Sequence, residues 1–264
     1  MSNVAMIFAG GTGQRMNTRT RPKQFLELHG KPIIIYTLEA FEDHSEIDGI
    51  IVVMLESWIP YTKELIRKYN LKKVKDVVPG GASGQDSIYN GLCAAARFYG
   101  DDDIVLIHDG VRPFVSYDVI SRNIQGVKDY GSAITATACY ETIIISKDGK
   151  GVDAVPFRKE TFTAQAPQSF YLKDIIAAHD YVRSLSTGYS NMVDACTIMT
   201  SQGKSVHLVE GNRGNIKVTT PEDVYTFRAL MQYRENEQAF GLGGLSNEIS
   251  ARMRQAGSMH RDDK

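Results

Sequence analysis

The chain opens on an apolar run, Val4-Ala5-Met6-Ile7-Phe8-Ala9, of the length of one buried strand. Similar runs at 50–54, 74–78, 103–107 and 132–139 predict four more strands, and 206–210 a late one. Apolar positions at helical spacing predict helices over 33–41, with Pro32 near the first turn, and over 58–69 and 88–99, the last starting at Ser87. Later helices are predicted over 172–184, from Asn191 to about 202, and from Pro221 to about 235. That last helix has Thr220 as cap, proline at its first position and Glu222 and Asp223 in its first turn. Strands alternating with helices predict an α/β fold with a mainly parallel central sheet and helices on both faces.

One stretch interrupts the alternation. Residues 142–146 and 151–156 read as two strands around Lys147-Asp148-Gly149-Lys150, and Asp-Gly favours a hairpin. The expected β-arm, about 140–165, projects from the body, and its long edge calls for cover such as a second subunit. Near the C-terminus, Gly241-Leu242-Gly243-Gly244 reads as a linker. One domain is therefore expected over 1–235, with a linker and tail over 236–264.

Composition narrows the function classes. Of 264 residues, 42% are hydrophobic and 23% charged, which is ordinary for a soluble globular enzyme. A formal net charge of -1 argues against a nucleic-acid binder or a polybasic membrane protein, yet leaves room for a local phosphate site. Cys93, Cys139 and Cys196 are odd in number, far apart and without metal-ligand spacing, so buried, reduced thiols are expected. No apolar run approaches the roughly 20 residues of a membrane span. The start of the chain lacks a signal-peptide pattern, so a cytoplasmic location is expected.

Candidate chemistry sits after the strands. Ala9 leads into Gly10-Gly11-Thr12-Gly13, where the backbone can approach a ligand closely and point successive N–H groups at an anion. The same string could also be a plain tight turn. Arg15 and Lys23 follow it, as suits a triphosphate. No Gly-x-x-x-x-Gly-Lys-Ser/Thr string occurs, and Met16 stands where a dinucleotide fingerprint needs its third glycine. A second glycine-rich loop, Gly80-Gly81-Ala82-Ser83-Gly84-Gln85-Asp86-Ser87, follows the third strand and is expected on the same sheet edge. Asp109, in His108-Asp109-Gly110-Val111-Arg112-Pro113, ends the fourth strand, where a carboxylate can hold Mg²⁺ together with substrate phosphates, or cap the next helix. His108 reads as a packed strand residue.

Taken together, Ala9 to Met16, Pro22-Lys23-Gln24, His108 to Pro113, Pro167-Gln168-Ser169-Phe170 and Asn215-Ile216-Lys217-Val218-Thr219 resemble the cytidylyltransferases that act on polyol phosphates. These are the 2-C-methyl-D-erythritol 4-phosphate and the ribitol-5-phosphate cytidylyltransferases. The resemblance covers roughly residues 3 to 233, with five separated motifs in the same order. It implies a Rossmann-like, three-layer nucleotidyltransferase domain with a protruding β-arm, a homodimer joined through the arms, CTP as donor, and Mg²⁺ or another divalent metal as cofactor. It further implies that Arg15, Lys23 and Lys217 are catalytic and that Ala9, Gly10, Gly11, Thr12, Gly13, Gly80, Gly81, Ser87 and Asp109 bind CTP. Asp109 is also the metal position. Arg112, Thr142, Arg158, Asp194 and Lys217 are implied to bind the acceptor, with Thr142 and Arg158 reaching the neighbouring subunit's site.

Some positions depart from the methylerythritol pattern. Gly84 stands nearest a place where arginine is expected, Tyr140-Glu141-Thr142 replaces Arg-Asp-Thr, and Ala166 precedes Pro167 where threonine is usual. The His108, Pro167 and Asp194-Ala195-Cys196 strings are closer to the ribitol branch. The favoured reading is cytidylyl transfer to D-ribitol 5-phosphate, giving CDP-ribitol and pyrophosphate. The alternatives are the methylerythritol phosphate reaction and a nucleotide-binding regulator that has lost catalysis.

Overall fold

The structure, a computed structural model, describes residues 1–11 and 21–240. The chain falls into two units, Met1–Thr219 and Thr220–Lys264. The first contains, in order, β1 (Asn3–Ala9), the short strands β2 (Glu27–Leu28) and β3 (Lys31–Pro32), α1 (Ile33–Glu42), β4 (Gly49–Met54), α2 (Ile59–Lys68) and β5 (Val74–Pro79). It continues with α3 (Gly84–Ala95), β6 (Ile104–Asp109), α4 (Tyr117–Tyr130), β7 (Ser132–Ala138), β8 (Phe162–Tyr171), α5 (Leu172–Ser184), α6 (Ala195–Thr200) and β9 (Leu208–Glu210). The second unit holds α7 (Pro221–Phe240), which runs past the expected boundary at 235. Its start is tied by the Thr220 N–H donating to Asp223 Oδ2 at 2.8 Å.

Seven strands form one sheet in the order β5-β4-β1-β6-β8-β7-β9. β8 runs antiparallel to both its neighbours, and the other pairings are parallel. β1 shows why the sheet has two covered faces. Its residues alternate sides. Ala5, Ile7 and Ala9 join a core with Ile34, Leu38 and Phe41 of α1, Leu65 of α2, and Ile120 and Ile124 of α4. Val4 and Met6 join another with Ile88 and Leu92 of α3, Ile175 and Val182 of α5, and Ile198 of α6. This is the expected mainly parallel, three-layer α/β architecture. Because β1, β4, β5 and β6 are parallel, their carboxyl ends share one edge, and Phe8 pairs with Asp109 across β1 and β6.

Several elements differ from the sequence reading. The helix α4 and the strand β8 were not anticipated. The buried stripe of α4 includes Asn123 and Gly126, which weaken its apolar signal. β8 contains Pro167, which cannot donate to a ladder and argues against a central strand. The sheet accommodates it where the β7–β8 register shifts between Ile134 and Ala136. There the Thr135 hydroxyl donates to the Pro167 carbonyl at 2.7 Å, Asn123 donates to Thr135 at 2.8 Å, and Ser169 donates to Asn123 at 3.0 Å. The two strands expected in the arm reduce to a single antiparallel bridge, Ile145 with Ala154. Ile143, Ile144, Val152 and Val155 are exposed, and a lone two-stranded ribbon with no buried face is marginal. The helix expected from Ser87 starts at Gly84 with Ser83 as its cap, and the one expected from Asn191 starts at Ala195 with Asp194 as its cap. The cysteines are free, but Cys93 is exposed and the other two are half-buried rather than buried. Among the described residues no helix is long and apolar enough to cross a membrane.

His179 of α5 is fully buried, and burial pushes its imidazole from the usual value near 6.5 down to about 4, against the smaller opposing pull of Asp180. The unfolded chain takes up that proton near its ordinary value, so folding stability falls as pH drops from about 6.5 towards 4 and levels off below. The loss is at most about 3 kcal/mol. Urea melts between pH 7 and 4.5 should show this slope, and His179→Gln should lessen it, leaving the share of His108, which burial also pushes down to about 4. An unchanged slope in that variant would refute the assignment.

Candidate active site

The first glycine turn leaves β1 at Ala9, whose carbonyl accepts from Gln24 Nε2 at 2.7 Å. Gln24 is buried and follows Lys23 in a short 3-10 turn, Lys23–Phe25, so this bond fixes the segment carrying Lys23 against the end of β1. The second loop leaves β5. Gly80 donates to the Met54 carbonyl at 2.8 Å, and the Gly81 N–H donates to Ser87 Oγ at 3.0 Å. A Cβ on Gly81 would lie 2.3 Å from Asp86 Cβ, so the loop packs on the first turn of α3 only as glycine. Ser87 is buried in that turn, its hydroxyl donating to the Ser83 carbonyl at 2.9 Å. It is therefore a loop brace within α3 rather than its cap.

Both loops line one cavity of about 470 Å³. Its walls include Ala9, Gly10, Gly11, Lys23, Gly81, Ser87, Asp109 and Lys217. Thr12, Gly13 and Arg15 lie outside the described residues.

Asp109 is the last residue of β6 and is 5% exposed. It does not cap the next helix, which begins at Tyr117. Its Oδ1 accepts from Lys217 Nζ at 2.5 Å and its Oδ2 from Arg112 Nε at 3.2 Å. Burial alone would raise its carboxyl, but Lys217 and then Arg112 outweigh it and hold the group below the ordinary carboxylate value. Arg112 also donates from Nη1 to the Asn215 carbonyl at 2.6 Å, and Val218 N–H to the Val111 carbonyl at 2.9 Å. These bonds clamp the 215–218 segment beside the end of β6. His108, packed edge-on against Phe41, has Nε2 3.0 Å from the Arg112 carbonyl and is pushed down to about 4 by burial. It is a neutral strand residue.

A second cavity, about 610 Å³, meets the first at Phe8, Ser83, Gly84, Asp109 and Lys217. It is also lined by Gln85, Arg112, Gln165, Gln168, Tyr189, Met192, Val193 and Asp194. Asp194 caps α6 through Oδ1, which accepts from the Thr197 N–H at 2.8 Å. Its Oδ2 accepts from Gln168 Nε2 at 2.9 Å, while Gln168 Oε1 accepts from the Cys196 N–H at 2.9 Å. Thr142 and Arg158 line neither cavity and are exposed; Arg158 Nη1 reaches the Tyr140 carbonyl at 3.5 Å.

A divalent metal finds one carboxylate here, Asp109, and the described residues contain no cluster of three or more His, Cys, Asp or Glu. Each Asp109 oxygen retains an acceptor position beyond its bond to a cation. This donor set fits an ion that takes its other ligands from phosphates and water, as Mg²⁺ does, and does not fit an all-protein cage.

Sequence reasoning gave no role to Gln85, Gln165, Tyr189, Met192 or Val193. Gln24, Gln85, Gln168 and Asn215 stood inside quoted strings, which was the available signal for them; Gln165, Tyr189, Met192 and Val193 carried no chemical signal.

Comparison with known proteins agrees with this architecture. The family described as IspD, 2-C-methyl-D-erythritol 4-phosphate cytidylyltransferase, matches residues 3–233. A ribitol-5-phosphate cytidylyltransferase of Streptococcus agalactiae is 47% identical over 242 residues, 92% of this chain and all of that protein. A 2-C-methyl-D-erythritol 4-phosphate cytidylyltransferase of Clostridium botulinum is 42% identical over 231 residues, 87% of this chain and 97% of that protein. The crystal structure of 4-diphosphocytidyl-2C-methyl-D-erythritol synthase from Anaerococcus prevotii superposes with a TM-score of 0.75 at 29% identity, covering 88% of this chain and 96% of that one. With the family match spanning nearly all the described residues and full-length relatives on both branches, the chain belongs to the IspD family of cytidylyltransferases.

Proposed function

We propose that this chain is an enzyme that transfers the cytidylyl group of CTP to D-ribitol 5-phosphate, releasing pyrophosphate and CDP-ribitol. The observation that carries this reading is the meeting of two cavities at Lys217 and Asp109, one glycine-walled and holding Lys23, the other holding Asp194, Gln165 and Gln168. A donor triphosphate suits the first and a polyol phosphate the second. Identity over the whole of a ribitol-5-phosphate cytidylyltransferase favours that acceptor. The methylerythritol phosphate reaction is the second reading, favoured by the family description and the C. botulinum relative. Lys23, Asp109 and Lys217 around one cavity speak against a regulator without catalysis.

In the proposed reaction a phosphate oxygen of the acceptor attacks the α-phosphorus of CTP. A P–O bond forms there as the bond to the pyrophosphate oxygen breaks. A phosphate monoester has its second pKa near about 6, so the nucleophile is already ionised and needs no general base. The barrier is the approach of two anions. Lys23, Arg15 and Lys217 offset that repulsion at the α-phosphate, and Gly10, Gly11, Gly80, Gly81 and Ser87 seat the nucleotide. Thr12 and Gly13 complete the first turn. Asp109 would hold the ribose end and a divalent metal, which would supply charge neutralisation at phosphate oxygens. Asp194 receives acceptor hydroxyls while Gln168 keeps its carboxylate in place, and Arg112 braces Asp109 and the Lys217 segment beside the acceptor. That Thr142 and Arg158 are exposed and line neither of these two cavities supports a role at the site of a second copy, in a homodimer joined through the arms. CTP and free thiols suit a cytoplasmic setting.

Pyrophosphate release with CTP should be much faster with D-ribitol 5-phosphate than with 2-C-methyl-D-erythritol 4-phosphate; the reverse order would transfer the assignment to the second reading. Lys23→Ala and Arg15→Ala should each raise the barrier by about 3–4 kcal/mol, a loss of roughly 10²–10³ in kcat, with the melting temperature unchanged. Near wild-type turnover in either would remove that residue from the mechanism. Arg158→Ala should raise KM for the acceptor and leave that for CTP. Mixed with Lys23→Ala protein at low acceptor concentration, it should recover activity through mixed dimers, and no recovery would exclude a shared site.

A further inference from the structure

Behind the second cavity lies a charged and aromatic cluster that the proposed reaction does not use. Its hub is Arg183, in the last turn of α5, which lines neither cavity. Arg183 Nη1 donates to Asp86 Oδ1 at 3.0 Å. Asp86 Oδ2 accepts from Ser83 Oγ at 2.7 Å, and Ser83 Oγ accepts from the Asp86 N–H at 3.1 Å. Through Asp86 the guanidinium is thus fastened to the first turn of α3, whose Ser83 and Gly84 line both cavities. The same guanidinium lies 4.2 Å from the ring centroid of Tyr89 and 6.0 Å from that of Tyr189. Tyr189 has its hydroxyl 2.7 Å from Nδ1 of His179, one turn before Arg183 on the same face of α5.

Tyr189 belongs to segment 185–193, which leads directly into Asp194. This segment has no regular secondary structure. It passes through two left-handed residues, Gly188 with φ 49° and Asn191 with φ 64°. Tyr189 and Met192 pack against the core beneath it, and two hydrogen bonds tie it to the helices, Tyr189–His179 and the Gln85 Nε2 donation to the Met192 carbonyl at 3.3 Å. Both ties end on α5 or on the first turn of α3, the two elements that Arg183 joins.

We infer that Arg183 is a positioning residue for the acceptor: it locks the start of α3 and segment 185–193 onto α5, and so fixes the wall that carries Tyr189, Met192 and Asp194. The inference rests on the reading of the second cavity as the polyol phosphate site. Arginine suits the task because its edge donates to a carboxylate while its faces lie against aromatic rings, which a lysine ammonium cannot do at once.

The test uses full-length Arg183→Met, Tyr189→Phe and the double variant, assayed with CTP and whichever of the two acceptors wild type turns over. Arg183→Met should raise acceptor KM about fivefold, the worth of roughly one kcal/mol of lost contact, with kcat within twofold of wild type and CTP KM raised by less than acceptor KM, since Ser83 and Gly84 also border the first cavity. Tyr189→Phe should raise acceptor KM as well, and the double variant should exceed the larger single effect by little, because both act through one clamp. Hydrogen exchange of segment 185–193, measured without substrates, should be faster in Arg183→Met than in wild type. Unchanged acceptor KM in a folded Arg183→Met protein, additive KM effects, or unchanged exchange in that segment would each overturn the inference. Should wild type release no pyrophosphate with either acceptor, the functional reading fails instead, and the exchange result alone decides whether Arg183 positions the segment.

Discussion

A buried carboxylate with two cations on it is the constraint from which the rest of the site follows. Taking Asp109 out of water disfavours its charge, yet Lys217 and Arg112 keep it ionised. Such a group is stable only while both partners stay, since removing one leaves uncompensated charge in the interior. The ion cluster therefore ties three distant parts of the chain into one object: the end of β6, the turn after it, and the 215–218 segment. One negative group against two positive ones leaves an excess of positive charge where the two cavities meet. Asp109 and Lys217 both line the two cavities, and Lys217, 40% exposed, is the more open of the two.

The second cavity depends on a different solution to a backbone problem. Placing β8 between β6 and β7 puts Pro167 inside a seven-stranded sheet. Its carbonyl, beside a shift of register, is satisfied by Thr135 within the buried Asn123–Thr135–Ser169 network. With that network closed, the next residue, Gln168, can reach across to Asp194 and the start of α6 with both ends of its amide in use. Fold-level packing and the placement of the Asp194 carboxylate are thus one arrangement.

How much of this could be read from the residues alone follows the same physics. β1, β4 and β6 are buried on both faces, so they appear as unbroken apolar runs and were legible. β8 was not, because its Pro167 contradicts the local rule and only a tertiary network resolves the conflict. The arm was read as a hairpin from Asp-Gly, but local turn chemistry without a buried face yields one bridge. At the site, Asp109 stood out as a charge at a strand end, while Lys217 was picked out only by the family resemblance of its string. Arg112 was legible as a charge but not as a brace, since its partners are a carboxylate three residues before it and a carbonyl more than a hundred residues later. Gln85 lay in the second glycine-rich loop but was given no role, and Tyr189 lies in ordinary polar sequence that only the folding of segment 185–193 against α3 brings to a cavity.

What the chain leaves out of its cavities is as informative as what it puts there. Among the described residues, no histidine lines either one. The nearby His108 is held neutral by burial and committed to the Arg112 carbonyl. A reaction that needed a proton removed from its nucleophile would be poorly served by such a lining. A phosphate monoester has lost its proton before it binds, and what then limits its reaction with a triphosphate is repulsion between them. Glycine backbone and fixed ammonium groups answer that obstacle directly. Because Arg112 spends its guanidinium on Asp109 and Asn215, Lys23 and Lys217 are the described cations in the wall of the glycine-lined cavity, and the second of them stands where the two cavities join.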